Sequence, residues 1–250
     1  MTSTILFEQE AGIATLRFNR PDRRNALGRE ELSGIQLALG ALKPETRVLV
    51  ITSTSGSTFC AGADLQQIRA GELDGDQFQQ VTNELADLPI PTLCAINGNV
   101  FGGGCELAMS CDFRLASQDI KMRVPASAIG LCYPIEGIER FVSRLGVSVA
   151  KRILVAAEEF SAEQMLEFGI VSQLFSTDSL IRESNLMAKM LAQRAPLAVA
   201  AMLKVIRQAE RGSINQQEAR DLAAICSDSD DLKEGLLAQK ERRPAVFKGC

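Results

Sequence analysis

Two unbroken apolar runs, VLVIT at residues 48–52 and TLCAI at 92–96, constrain the fold of this chain more than any other feature. A strand with one wet face alternates apolar and polar residues. A run that is apolar throughout fits a strand buried on both faces, as parallel strands covered by helices are. The neighbouring segments agree. ILFEQ and GIATLRFN read as paired strands around a turn at residues 10–12. RPDRRNAL is a turn-rich loop, and Leu32, Ile35, Leu39 and Leu42 then recur at helical spacing. A helix around 76–88 leads to the second run, and DFRLAS reads as a further short strand. From residue 135 the pattern becomes mainly helical. Ser161 with Gln164 makes a capping box, Gly169 is a stop, and Pro196 suits the first turn of a helix reaching about residue 211. Residues 215–226 and 231–241 supply two more helices. The fold class is α/β, with a core over residues 1–190 and a helical carboxyl-terminal section over 191–250.

Each apolar run is followed by a loop of small residues. TSGSTFCAGADL reads as a loop after the first, and NGNVFGGGCE (97–106) follows the second. Ligands of open α/β sheets bind where strand carboxyl ends open into loops. The second loop runs into a helix over 103–110, which adds a positive helix end. Two backbone N–H groups converging there would form an oxyanion hole. Gly102, Gly103 and Gly104 stand beside Glu106. A plain buried helix would not choose glycine, at roughly 1 kcal/mol per position relative to alanine, nor bury a carboxylate without a partner. Two readings of the glycines stay open: they admit a ligand atom to the backbone, or they let a helix pack tightly on a strand.

The chain has no histidine. That excludes Ser–His and Cys–His nucleophile pairs and His-ligated metal sites, so no metal is expected. Acid–base chemistry falls to carboxylates, lysines, cysteines or the single tyrosine, Tyr133. A net charge of −4 over 250 residues argues against a nucleic-acid surface. No apolar stretch approaches the ~18 residues of a membrane span, and MTSTILFEQE lacks the basic start of a signal peptide. The seven cysteines are scattered without CxxC spacing, mostly in apolar segments, which suits buried thiols in a reducing cytoplasm.

RFNRPDRRNAL, FCAGADL and NGNVFGGGCELAMSCDFRLAS, in that order, resemble the crotonase superfamily, the enoyl-CoA hydratase/isomerase family. The likeness continues through VPASAIGL…GIERFVSRLG and EGLLAQKERRPAVFKG, so it covers nearly the whole chain. It implies a ClpP-like spiral of ββα units with a helical trimerising carboxyl terminus. It also implies an acyl-CoA thioester as substrate without a separate cofactor, and a homotrimer or a dimer of trimers. By the same resemblance the N–H groups of Ala63 and Gly103 polarise the thioester carbonyl. Ala61 matches the residue whose backbone meets the adenine. Arg23 and Arg24, with Ala26 and Asp64, fall in the CoA-binding loops, and Arg242 matches a basic position near the CoA. Two arginines in a turn fit solvated charge equally well.

Glu106 occupies the place of one of two catalytic glutamates in the hydratases. The second stands in a Pro-Glu loop, and here that loop reads VPASAIGL, with Ala126 in its place. Syn hydration is helped by two carboxylates holding one water, whereas a 1,3-proton shift needs one well-placed base. The expected activity is therefore proton transfer on an enoyl-CoA, with isomerase chemistry ahead of hydration. Some isomerases of the family carry a glutamate slightly later, where this chain has Glu136 and Glu139, out of register. Glu136 serves either as a second catalytic group or as an acid favoured at a helix start. Tyr133 is either a donor in the pocket or part of the core. A catalytically silent acyl-CoA-binding protein of the same fold is the competing reading.

Overall fold

The computed structural model describes residues 3–73 and 75–250. Strands β1 (Ile5–Glu10) and β2 (Ile13–Phe18) pair antiparallel across Ala11 and Gly12, both at positive φ, as a tight hairpin demands. There follow α1 (Arg29–Gly40), β3 (Val48–Ser53), β4 (Thr58–Cys60), α2 (Leu65–Arg69), α3 (Gly75–Ala86), β5 (Thr92–Ile96), β6 (Asn99–Phe101) and α4 (Gly103–Ser110). Next come β7 (Phe113–Ser117), β8 (Lys121–Arg123), α5 (Ile135–Leu154), β9 (Glu159–Ser161), α6 (Ala162–Glu167) and β10 (Gln173–Phe175). The chain closes with α7 (Thr177–Ala192), α8 (Pro196–Glu210), α9 (Gln216–Asp228) and α10 (Asp230–Glu241).

From β3 to β8 the strands alternate between two sheets. The larger runs β1-β2-β3-β5-β7-β10, and the smaller runs β4-β6-β8-β9. From β2 onward every pairing of the larger sheet is parallel. Each of β3, β5 and β7 thus gives one strand to the large sheet and hands the chain to a three-residue strand of the small one. Helices return it to the large sheet after β4 and β6, while α5 leads from β8 to β9 and α6 on to β10; the repeated step is the expected ββα spiral.

The apolar runs are buried because both faces of the large sheet are covered. Leu49, Ile51, Cys94 and Ile96 join the main core with residues of α1, α3, α4 and α5. Val48, Val50, Leu93 and Ala95 face the other way, against Leu180 and Ala188 of α7. That is the period-2 alternation of a strand, here with two apolar destinations. Phe18 and Phe59 meet edge to face at 5.3 Å and join the two sheets.

The segment after the first run, expected to be loop throughout, contains β4 instead. Three residues, each of them buried, are too few to display a periodicity. The capping box of Ser161 and Gln164 heads α6, and Gly169 follows it at φ 69°. Among the described residues no single helix is long and apolar enough to cross a membrane. Helices α8 to α10 leave Met202, Ile206, Ile225 and Leu236 exposed.

Candidate active site

The two small-residue loops converge at the carboxyl ends of β4 and β6. Asn25 fixes the first from below: its amide donates to the carbonyls of Thr58 (2.9 Å) and Phe59 (3.1 Å), and its Oδ1 accepts from Arg20 N (2.8 Å). Ala61 N donates to Arg24 O at 3.0 Å, which ties the arginine turn to the CAGAD loop. Gly62, at φ +85°, lets the loops touch; a Cβ there would lie 2.8 Å from Gly103 N. A Cβ on Gly103 would lie 3.6 Å from Ala63 N, which measures how closely the two peptide groups approach. Neither the Ala63 nor the Gly103 N–H donates to another backbone group among the described residues. Gly104 serves the other purpose, since a Cβ would stand 2.8 Å from the Cys60 carbonyl oxygen. The close-packing reading of the glycines therefore holds at Gly104, and at Gly103 the backbone N–H stays open beside that of Ala63.

Glu106 lies one helical turn beyond Gly103 on α4 and is fully buried. Its Oε1 is crowded. Arg140 Nη1 donates to it at 2.7 Å, Gln79 Nε2 donates at 3.0 Å, and Thr82 Oγ1 stands 3.3 Å away. Arg140 is held in turn by Asn83 Oδ1 at 2.7 Å. Oε2 of Glu106 is equally buried and has no hydrogen-bond partner among the described residues. Burial pushes the Glu106 carboxyl above the ordinary range. Arg140 opposes that shift, and Tyr133, Gln79 and Thr82 oppose it further. A carboxylate gripped by one oxygen and free at the other is oriented as a general base must be.

The sequence identified Glu106 but not its holders. Gln79 and Thr82 lie three apart on α3, among the buried Phe78, Val81 and Leu85. Polar residues on an apolar helical face were the available signal. Arg140 follows Gly137 by three positions on α5, so both face Glu106. A Cβ on Gly137 would come within 2.8 Å of Oε2.

The remaining expected residues are placed as follows. Arg23 is exposed and donates to Gln66 Oε1 at 3.2 Å; Arg24 is exposed at φ 53°. Ala26 and Ala61 are half-buried along the same rim. Asp64 caps α2 through Gln66 N at 3.1 Å and pairs with Arg20 at 3.3 Å. Arg242 is exposed at the left-handed cap of α10, a helix that packs on α9. Glu136 and Glu139 are exposed and line a cleft of about 640 Å³ with Arg140, Arg144, Arg207 and Glu210. Ala126 is buried at the start of a 3-10 turn. Among the described residues no cluster of three or more Cys, Asp or Glu side chains is arranged to hold a metal ion.

The model of the enoyl-CoA hydratase/isomerase family matches residues 8–250, nearly the whole chain. The chain belongs to that family. Among relatives of this family enzyme, the crotonyl-CoA hydratase of Syntrophomonas wolfei subsp. wolfei is 31% identical over 252 residues, covering 97% of each chain. The 2,3-dehydroadipyl-CoA hydratase of Escherichia coli is 28% identical over 253 residues, covering 99% of each. The crystal structure of an enoyl-CoA hydratase from Bacillus anthracis superposes with a TM-score of 0.91 at 26% identity, covering 99% of this chain and 100% of that one. The fold is the crotonase fold, and the protein is an acyl-CoA-processing enzyme of the hydratase/isomerase family.

Proposed function

We propose that this family enzyme moves a proton on an enoyl-CoA thioester, with Glu106 as the acid–base group and the N–H groups of Ala63 and Gly103 on the thioester oxygen. One observation carries the reading: the buried carboxylate of Glu106, held at Oε1 and free at Oε2, one helical turn from Gly103 N. An α-proton of a thioester becomes removable when the enolate oxygen is held, so donors and base have to be neighbours. Oε2 takes the proton, the electrons of the C–H bond pass to the thioester oxygen, and the proton returns at another carbon. Isomerisation is favoured over hydration because the position expected to supply a second carboxylate is Ala126. Glu136 is left to the helix start, since its side chain is exposed. The CoA moiety would follow Arg23, Arg24, Ala26, Ala61 and Asp64, with Arg242 closing on it.

A second reading has its own support. Arg140 and Glu106 form a buried pair, 9% and 0% exposed, of the kind that also serves structure alone. A catalytically silent acyl-CoA-binding protein would keep it. Turnover separates the two: 2-enoyl- and 3-enoyl-CoA are supplied and the products identified. Isomerised product is expected, and thioester binding without turnover would favour the silent protein. In a complex, a thioester oxygen more than ~3.5 Å from both nitrogens would remove the oxyanion-hole assignment. We also propose a homotrimer or a pair of trimers, with Met202, Ile206 and Ile225 covered by a second copy. Sedimentation as a monomer at micromolar concentration would refute it.

A further inference from the structure

Tyr133 stands where Glu106 has its one free oxygen. The ring packs edge to face on Phe141 of α5 at 6.0 Å, so it is fixed at its back. Its hydroxyl is buried without a hydrogen-bond partner among the described residues, as is Oε2 of Glu106. The two side chains meet across Gly137: a Cβ at that glycine would come 2.5 Å from Tyr133 Cε1 and 2.8 Å from Oε2. No hydrogen bond of ordinary geometry joins them at rest, yet each perturbs the other. Burial holds the phenol well above its usual range and the Glu106 carboxylate adds to that shift, while the phenol helps to pull the carboxyl down. A buried O–H and a buried carboxylate oxygen, both unpartnered and adjacent, are costly to keep for packing alone.

We propose that Tyr133 is the second proton-carrying group of the site, relaying to the substrate the proton that Oε2 of Glu106 has taken. The inference rests on the enoyl-CoA reading of this site. In the step, the α C–H bond breaks, its proton goes to Oε2, and its electrons enter the enolate held at Ala63 and Gly103. The phenol then gives its proton to the γ-carbon and is refilled from Glu106 in the same event. One C–H bond breaks, one forms, and both side chains end as they began. Arg140, Gln79 and Thr82 keep Oε1 out of the exchange, so the relay has a single oxygen to leave from. The other charged or titratable groups acting on the pair are Arg140 from α5 and Cys105 from α4, with Arg144 and Glu210 acting on Arg140.

The test separates proton removal from proton delivery. Washout of α-protium from butyryl-CoA in D2O reads removal and return at the same carbon; conversion of a 3-enoyl-CoA to the 2-enoyl-CoA requires delivery at the γ-carbon as well. Tyr133→Phe keeps the ring on Phe141. It is expected to retain washout within about threefold and to lose conversion by about 10²-fold or more at unchanged KM. A folded Tyr133→Phe enzyme that converts as fast as wild type overturns the relay and leaves the Glu106 reading standing. A wild type that neither exchanges nor converts, like its Glu106→Gln variant, overturns both. Should Tyr133→Phe fail to fold, trifluorotyrosine at position 133 replaces it. The more acidic phenol is expected to bring an alkaline limb into the pH profile of conversion, and a profile identical to wild type overturns the relay.

Discussion

Arg140→Met removes the cation from a fully buried carboxylate, and the structure sets the size of the effect. The two groups are 2.7 Å apart and 9% and 0% exposed. Opposite charges ~4 Å apart attract by about 4 kcal/mol at an effective dielectric near 20. Breaking a buried pair by deleting one partner costs about 3–5 kcal/mol. Gln79 and Thr82 remain on Oε1 and soften the loss, so about 3 kcal/mol is expected at about pH 8. The cost depends on pH, with a definite sign. Burial raises the Glu106 carboxyl in the native state. Its bound proton therefore adds stability that is complete below the unfolded carboxylate pKa and is lost as pH rises through the native one. Removing Arg140 lifts the native pKa further, so in the variant that loss continues to higher pH. The difference between variant and wild type should shrink on going from about pH 8 to about pH 5, where protonation relieves the orphaned charge. Urea unfolding at one fixed protomer concentration measures it. Adding Glu106→Gln should recover most of the loss, giving a coupling of about 2 kcal/mol or more. A loss under about 1 kcal/mol, equal at both pH values, would refute the idea that Arg140 neutralises a buried carboxylate.

Gly137→Ala places a methyl group 2.5 Å from the Tyr133 ring and 2.8 Å from Oε2. It should cost about 1–3 kcal/mol by urea unfolding and at least tenfold in turnover; an unchanged enzyme would mean that the three groups are not packed together. Ala126→Glu should raise the ratio of hydrated to isomerised product from an enoyl-CoA, and the same ratio in a folded variant would show that position 126 does not face the substrate. With the proposed Glu106 carboxylate as the titrating group, its pKa raised by burial, kcat should fall on the acid side with a midpoint above the ~4.3 of an ordinary glutamate. A midpoint at or below that value counts against Glu106 as the titrating group.

The large sheet was legible because its buried strands are unbroken apolar runs, and VLVIT and TLCAI became β3 and β5. The small sheet was not, because β4, β6, β8 and β9 have three residues each and pair through neighbours far along the chain. Glu106 and the glycine loop stood out locally, since glycines beside a buried acid contradict a simple helix core. The groups that hold Glu106 did not stand out: Gln79 lies 27 positions before it and Arg140 34 after it. Only the packing of α3 and α5 against α4 brings them to one oxygen. Tyr133 was visible as the single tyrosine, but its side of the carboxylate is set by Gly137, whose missing side chain leaves the space.

The central claim is that Glu106 performs the proton transfer, and steady-state turnover of 2-enoyl- and 3-enoyl-CoA by Glu106→Gln tests it most directly. The amide keeps the shape of the side chain, so the fold and CoA-thioester binding should persist while kcat falls by about 10²–10⁴-fold. A Glu106→Gln enzyme that binds these thioesters and turns over each of them as fast as wild type would contradict the account.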